Sequence, residues 1–316
     1  MKFTILDSNP PVEKLSFWQS CVWKEILVES GQVRSAFYFG NEEIAILVEV
    51  RTLGFGQRGA FALGCDLPYD TLKALLEDLK KELRNLGVLF LQIEPLSEPL
   101  EIWLESPYRS FLVPYTRTID LTLPIEDIFK GMHEKWRYNI RLAEKRGVHI
   151  ERVQPTREYL DLWYELLRET TERDSFSQNS QTYYKVFLDQ IGANGWLYLA
   201  FYENHVIAAS IAVFTPERAI YYYWASRSDP LLRKHMAPYL LQWQMIQDAK
   251  TYGSKLYDFL GIANPHNPND HLRGVSNFKE KFGGSILRLP KVRIIPLSQK
   301  YYPFMAAYRL KQLLGK

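Results

Sequence analysis

"AFYFGNEEIAILVEV" at 36–50 and "AFYENHVIAASIAV" at 200–213 begin alike and run alike. Each reads as a strand, a polar turn and a second apolar strand. Outward from these hairpins the order stays the same. "RGAFALG" from Arg58 and "RAIYYYWAS" from Arg218 read as the next strand. A helix follows in each half. Leu72, Leu75, Leu76, Leu79, Leu83 and Leu86 keep the helical period in the first, and Met236, Tyr239, Leu240, Trp243 and Ile246 keep it in the second. Each helix ends near a glycine, Gly87 and Gly253. The chain then returns as "GVLFLQIEP" and "GSKLYDFLGI". Hairpin, strand, helix and strand thus occur twice, about 160 residues apart, too long a period for a solenoid. The pattern predicts an α/β protein of two tandem domains, each a mixed sheet flanked by helices. The seam falls near "YTRTIDLTLP" (115–124), giving domains 1–122 and 123–316.

The 316 residues are 47% hydrophobic and 24% charged, with a net charge of +3. That balance does not demand a polyanionic partner, so any phosphate site must be local. The two cysteines, Cys21 and Cys65, lack metal-ligand spacing. "MKFTILDSNPPVEKL" has no apolar core of a signal peptide, and no apolar run is long enough to span a bilayer. A cytoplasmic protein is expected.

"KWRYNIRLAEKRG" at 135–147 is the local candidate for a polyanion site. At 100° per residue, Met132, Trp136, Ile140 and Ala143 share a stripe that Ile125, Ile128 and Phe129 continue upstream. Arg137, Arg141 and Lys145 step by four on the other side, and Gly147 suits a helix terminus. A basic face near a helix C-terminus is favourable for its own sake; it also suits phosphate.

No G-x-S-x-G, P-loop or G-x-G-x-x-G occurs. "HNPNDH" at 266–271 reads as a turn, so no metal is expected. The module order is similar to that of N-acetyltransferase (GNAT) domains. Their acetyl-CoA turn carries glycines whose N–H groups hold the pyrophosphate. "GCDLPYDTL" (64–72) and "SRSDPLLRKHMAP" (226–238) lack the paired glycines, which disfavours acetyl-CoA, and no cofactor is expected.

"WRxNIRxAxKxGV" at 136–148, "ETxxRDxF" at 169–176 with "YY" at 183–184, "YYYWAS" at 221–226, "YDFLGI" at 257–262 and "FKEKFGG" at 278–284 follow one another in that order. Together they resemble the Fem family of peptidoglycan aminoacyltransferases. The first half is similar more loosely, through "WQSCVW" (18–23) and "LQIEP" (91–95). The resemblance implies two GNAT-like domains in a cytosolic bacterial enzyme that takes an amino acid from aminoacyl-tRNA. The acceptor would be the stem-peptide amine of lipid II or of UDP-MurNAc-pentapeptide, and the product an interpeptide bridge. A lipid-linked acceptor would bring peripheral membrane contact.

The resemblance also assigns residues. Lys279 would stabilise the oxyanion, with Phe278 beside the substrate; a strand-end lysine is the plain alternative. Tyr183, Tyr222 and Tyr223 would line the substrate channel, with Asp258. Arg137, Arg141 or Lys145 would meet tRNA or diphosphate. Asn179 stands where relatives often carry a phosphate-binding arginine, Lys24 is the nearest lysine to another phosphate position occupied here by Leu27, and Glu94 replaces an aspartate. These departures favour a lipid-linked acceptor or a different phosphate grip. Two other readings of the same fold are an N-acyltransferase with another donor or acceptor, and a non-catalytic protein that binds tRNA or wall precursors.

Overall fold

The computed structural model describes residues 3–10, 16–97, 108–174 and 176–314. The chain forms two compact units, one of residues 1–114 and 289–316, the other of residues 115–288. In the first, β1 (Thr4–Ile5), β2 (Ser35–Gly40), β3 (Ala45–Thr52), β4 (Arg58–Cys65) and β5 (Phe90–Pro95) lie side by side in that order. All neighbours are antiparallel except β4 and β5. α1 (Cys21–Glu29) precedes the hairpin, and α2 (Tyr69–Asn85) crosses between the parallel strands. The predicted leucine stripe of α2 is buried against Val48, Ala60, Ala62, Leu91 and Ile93.

The second unit opens with β6 (Tyr115–Asp120), α3 (Ile125–Lys130) and α4 (Glu134–Lys145), followed by β7 (His149–Val153), α5 (Arg157–Asp174) and α6 (Gln181–Ile191). Next come β8 (Gly195–Tyr202), β9 (His205–Phe214), β10 (Arg218–Ser226), α7 (Pro230–Arg233), α8 (Ala237–Tyr252), β11 (Leu256–Gly261), α9 (Arg273–Glu280) and β12 (Ser285–Arg288). The sheet order is β12-β6-β11-β10-β9-β8-β7, and β10 and β11 are again the parallel pair. The duplicated run therefore folds alike in both copies. The mixed α/β character and the two helix-flanked sheets agree with the periodicity.

Three expectations need correction. The seam lies at 114/115, because β6 pairs with β11 and not with the first sheet. Residues 289–316 leave the second unit: β13 (Arg293–Pro296) pairs antiparallel with β5, and α10 (Tyr301–Leu314) follows it. Each sheet thus takes the strand beside its parallel pair from a segment outside the repeat. Finally, the apolar stripe from Ile125 to Ala143 is shared by two helices, because the chain breaks at 131–133.

The tail of "FKEKFGG" shows why that spelling is needed. Gly283 and Gly284 have φ of +88° and +73°. A Cβ on Gly284 would stand 2.1 Å from the Thr118 carbonyl oxygen, inside the β6–β12 pairing, whereas Gly147, at φ +81°, has nothing within 4 Å. Both sites carry left-handed strain of about 1–2 kcal/mol for any other residue, but only Gly284 adds a backbone collision. Gly284→Ala is expected to lose clearly more stability than Gly147→Ala in denaturant titrations of the two variants.

Candidate functional site

β10 and β11 pair over only three residues, Arg218–Ile220 against Leu256–Asp258. In the first unit the matching pair runs further, from Ala60–Leu91 to Cys65–Pro95, with one register shift between Leu63 and Cys65. Beyond Asp258 the second pair loses register with its neighbours. β11 has an irregularity between Asp258 and Gly261 in its pairing with β6, and β10 has one between Tyr221 and Tyr223 against β9. A polar group at this end can therefore meet β11 on the side that β10 no longer pairs, while Gly261 stays in register with Thr116 of β6.

Lys279 is that group. It lies on α9, not at a strand end, and is 5% exposed. Its Nζ donates to the Gly261 carbonyl at 2.8 Å and more loosely to that of Leu260 at 3.5 Å. It lies 5.9 Å from the centre of the Tyr221 ring. Burial pushes its pKa down to about 8, and the nearby Asp258 carboxylate opposes that shift. Two N–H bonds point at carbonyls and no third acceptor is bonded to Nζ among the described residues, so one donor remains for a further acceptor. α9 is tied down beside it: the buried Ser276 hydroxyl accepts from the Ala263 N–H at 2.6 Å and donates to the Leu272 carbonyl at 2.8 Å.

Asp258 is 1% exposed and organises the strand end. One oxygen receives Arg218 Nη1 at 2.7 Å. The other takes the Thr116 hydroxyl and, at 2.8 Å, the N–H of Leu260. That N–H bond holds Leu260 at φ +55°, uncommon for a branched residue. Arg218 and Thr116 were missed in the sequence. The available signal was a lone arginine opening one largely apolar strand and a lone aspartate inside the next; buried charges are normally paired.

Phe278 points elsewhere. Its ring joins an aromatic core with Tyr239 at 5.4 Å and Phe282 at 5.1 Å, and its carbonyl accepts from Trp136 Nε1 at 3.1 Å. Lys281 lies 4.7 Å over the Trp136 ring.

The tyrosines form a second group. The Tyr183 and Tyr223 hydroxyls share a hydrogen bond of 2.8 Å. Phe187 packs on Tyr222 at 4.9 Å, and Tyr184 meets Tyr223 edge-on at 5.0 Å. The bulge in β10 turns both Tyr222 and Tyr223 toward α6, while Tyr221 joins the core with Phe259. Burial first, then the neighbouring phenols, hold the Tyr223 hydroxyl protonated far above its usual range. Asn179 borders this group through its backbone: its N–H reaches the Tyr184 hydroxyl, and its carbonyl that of Tyr164, both at 3.4 Å.

The basic stripe is divided. Arg137 Nη1 is occupied by the carbonyls of Lys130 at 2.6 Å and Met132 at 2.7 Å, closing the end of α3. Arg141 is exposed and lies over the Phe129 ring at 5.2 Å, and Lys145 is exposed. Lys24 and Glu94 belong to the first unit. Lys24 donates to Asn9 Oδ1 at 3.1 Å. Glu94 receives Gln92 Nε2 at 2.6 Å and the N–H groups of Phe111 and Leu112 at 3.1 and 2.8 Å. Burial raises its pKa to about 7 against those bonds. Its oxygens thus anchor the segment at 111–112. In the 266–271 loop, Asp270 receives the N–H groups of Asn264 and Leu272, which makes it a turn.

A FemAB family model matches residues 112–203 and 200–309. The chain belongs to the FemAB family. A curated relative, the lipid II:glycine glycyltransferase of Staphylococcus haemolyticus (strain JCSC1435), is 21% identical over 64% of this chain. The chain spans 61% of that relative's length. The crystal structure of FemX has a TM-score of 0.80 at 16% identity, covering 96% of this chain and 99% of that one. A tandem GNAT protein from the clavulanic acid biosynthesis pathway matches at 0.51 and 11% identity, covering 94% and 98%. The fold is therefore a tandem GNAT fold of the Fem type.

Asp258→Asn keeps the side chain's size and removes its charge. Lys279 then loses the neighbouring carboxylate that raises its pKa, so its pKa is expected to fall below about 8. Arg218 would be left without its carboxylate, and breaking such a pair costs roughly 3–5 kcal/mol. Titration of the Lys279 Nζ by NMR, with thermal melts of the same variant, checks both.

Proposed function

We propose that the protein transfers an aminoacyl group from aminoacyl-tRNA to an amine of a peptidoglycan stem peptide. The observation that carries this reading is the buried Lys279 ammonium at the open end of β10 and β11, with a donor left over. An aminoacyl ester is already activated, so the reaction needs no enzymic nucleophile and no cofactor. The acceptor nitrogen attacks the ester carbonyl and forms the C–N bond. The C–O bond to the tRNA ribose then breaks, and a proton passes from nitrogen to the departing oxygen. The carbonyl oxygen is weakly polar in the substrate and nearly fully charged in the tetrahedral intermediate. A fixed cation helps the second more than the first. The hydrogen-bonded phenols of Tyr183 and Tyr223, with Tyr222, supply a wall that binds peptide through ring faces. Lipid II is the preferred acceptor, on the name of the curated relative and on the absence of a phosphate-binding side chain at Asn179.

Purified enzyme, a mixture of charged tRNAs carrying labelled amino acids, and either lipid II or UDP-MurNAc-pentapeptide would test the whole reading. Label should move to lipid II; no transfer to either acceptor from any tRNA would refute it. Lys279→Met should lower turnover by a hundredfold or more, about 3 kcal/mol, with substrate affinity kept. The protonated lysine is the active form, so the rate should fall as pH rises through about 8. Lys279→Met should lack that limb.

The exposed cations of α4, Arg141 and Lys145, are the tRNA contacts in this reading. Arg141→Glu should weaken tRNA binding and flatten its salt dependence by about one counterion. Arg137→Glu should instead unfold the end of α3, seen as a lower melting temperature.

A further inference from the structure

α10 carries two apolar faces where a surface helix normally carries one. Its inner face is anchored in the first unit: Tyr301 meets Phe90 at 5.6 Å, and Phe304 stacks near Tyr108 at 5.9 Å. Its outer face is equally apolar. Steps of 100° place Tyr302, Ala306, Leu310, Leu313 and Leu314 on one arc opposite Tyr301. All are exposed, Leu310 by 57%, Leu313 by 74% and Leu314 by 78%. Arg309 and Lys311 stand at the two borders of this arc, both exposed.

Charge is distributed to match. Residues 289–316 contain six Lys and Arg and no Asp or Glu. Residues 1–114 of the same unit contain 11 basic and 16 acidic residues. The cations are thus collected on the segment that also exposes leucines. An RNA partner would use the cations and leave the leucines in water. A protein partner would use the leucines but gives no reason for excluding every carboxylate. An anionic lipid surface uses both.

We propose that α10 is an interfacial membrane anchor: it lies in the plane of an anionic bilayer, with Leu310, Leu313 and Leu314 among the acyl chains and Arg309 and Lys311 at the phosphates. At 14 residues it is about 21 Å long, too short to span a bilayer but suited to lying on one. The anchor does not depend on the transfer reaction. It would bring any site on this chain to a surface where lipid-linked substrates are found.

Vesicles of phosphatidylcholine, with or without phosphatidylglycerol and free of any wall precursor, separate this from catalysis. The intact protein should co-sediment with the anionic vesicles and weakly with the neutral ones, and added salt should release it. Leu310→Glu combined with Leu313→Glu should lower partitioning about tenfold or more. Because both side chains are solvent-exposed, melting temperature should stay unchanged. Arg309→Ala with Lys311→Ala should weaken binding about fivefold per cation removed, on anionic vesicles only. Protein that stays in solution with both vesicle types, or a glutamate pair that binds as well as the parent, overturns the proposal. So does light scattering that finds a dimer broken by the same glutamates without any vesicle binding, since the face then serves a second copy of the chain.

Discussion

One carboxylate shapes the open end of the second sheet. Asp258 holds a guanidinium, a hydroxyl and the N–H of Leu260 at once. The last of these bends β11 into a left-handed residue directly after its pairing with β10 ends. The carbonyls of Leu260 and Gly261 then face α9, where Lys279 takes both. Without the carboxylate, Leu260 would lose the side-chain bond to its N–H, and β6 alone would hold the chain on the far side of the bend. Lys279 would keep its burial and lose the carboxylate that opposes the effect of that burial. The position of the ammonium therefore follows from the bend, and the bend from Asp258.

The two copies of the repeat diverge at this point. Gln92 on β5 stands where Asp258 stands on β11, counting from Gly87 and Gly253. It is equally buried but neutral, and it donates to Glu94 and to the Arg109 carbonyl. β4 and β5 pair in register to Leu63 and Glu94 and, after one shift, again at Cys65 and Pro95. The buried carboxylates of the first unit also have local structural partners: Glu49 takes Trp23 Nε1 at 2.8 Å and Arg51 at 2.7 Å, and Glu94 takes backbone N–H groups. The first copy uses polar groups to close its sheet; the second uses them to hold one end open.

Much of the fold was legible, because strands and helices advertise themselves by period. β4, β10, α2 and α8 fall where the apolar residues recur. What the period does not encode is which sheet a strand joins. β6 and β13 are short, and nothing local to either says that they trade places around the parallel pairs. Bulges are equally silent: "YYYWAS" alternates in no way that foretells Tyr222 and Tyr223 sharing a side. Arg137 illustrates a third limit. Its place in a basic stripe suggested phosphate, but the break at 131–133 supplies two free carbonyls within its reach, and those bind it first.

Stability alone does not account for Lys279. Burying an ammonium costs several kcal/mol, and a bent carboxylate across the strand recovers only part of that. Methionine has similar length and no desolvation cost, so a fold under pressure only to be stable would do better with it. Two carbonyls and a neighbouring anion hold this cation in place without satisfying all of its donors. A preorganised, partly unsatisfied charge in a dry setting stabilises a negative charge that appears during a reaction more than one present from the start. An uncharged ester that becomes an oxyanion is a substrate of that kind. The same arrangement would be poorly suited to gripping a phosphate, which is charged throughout and is met better by exposed guanidinium groups.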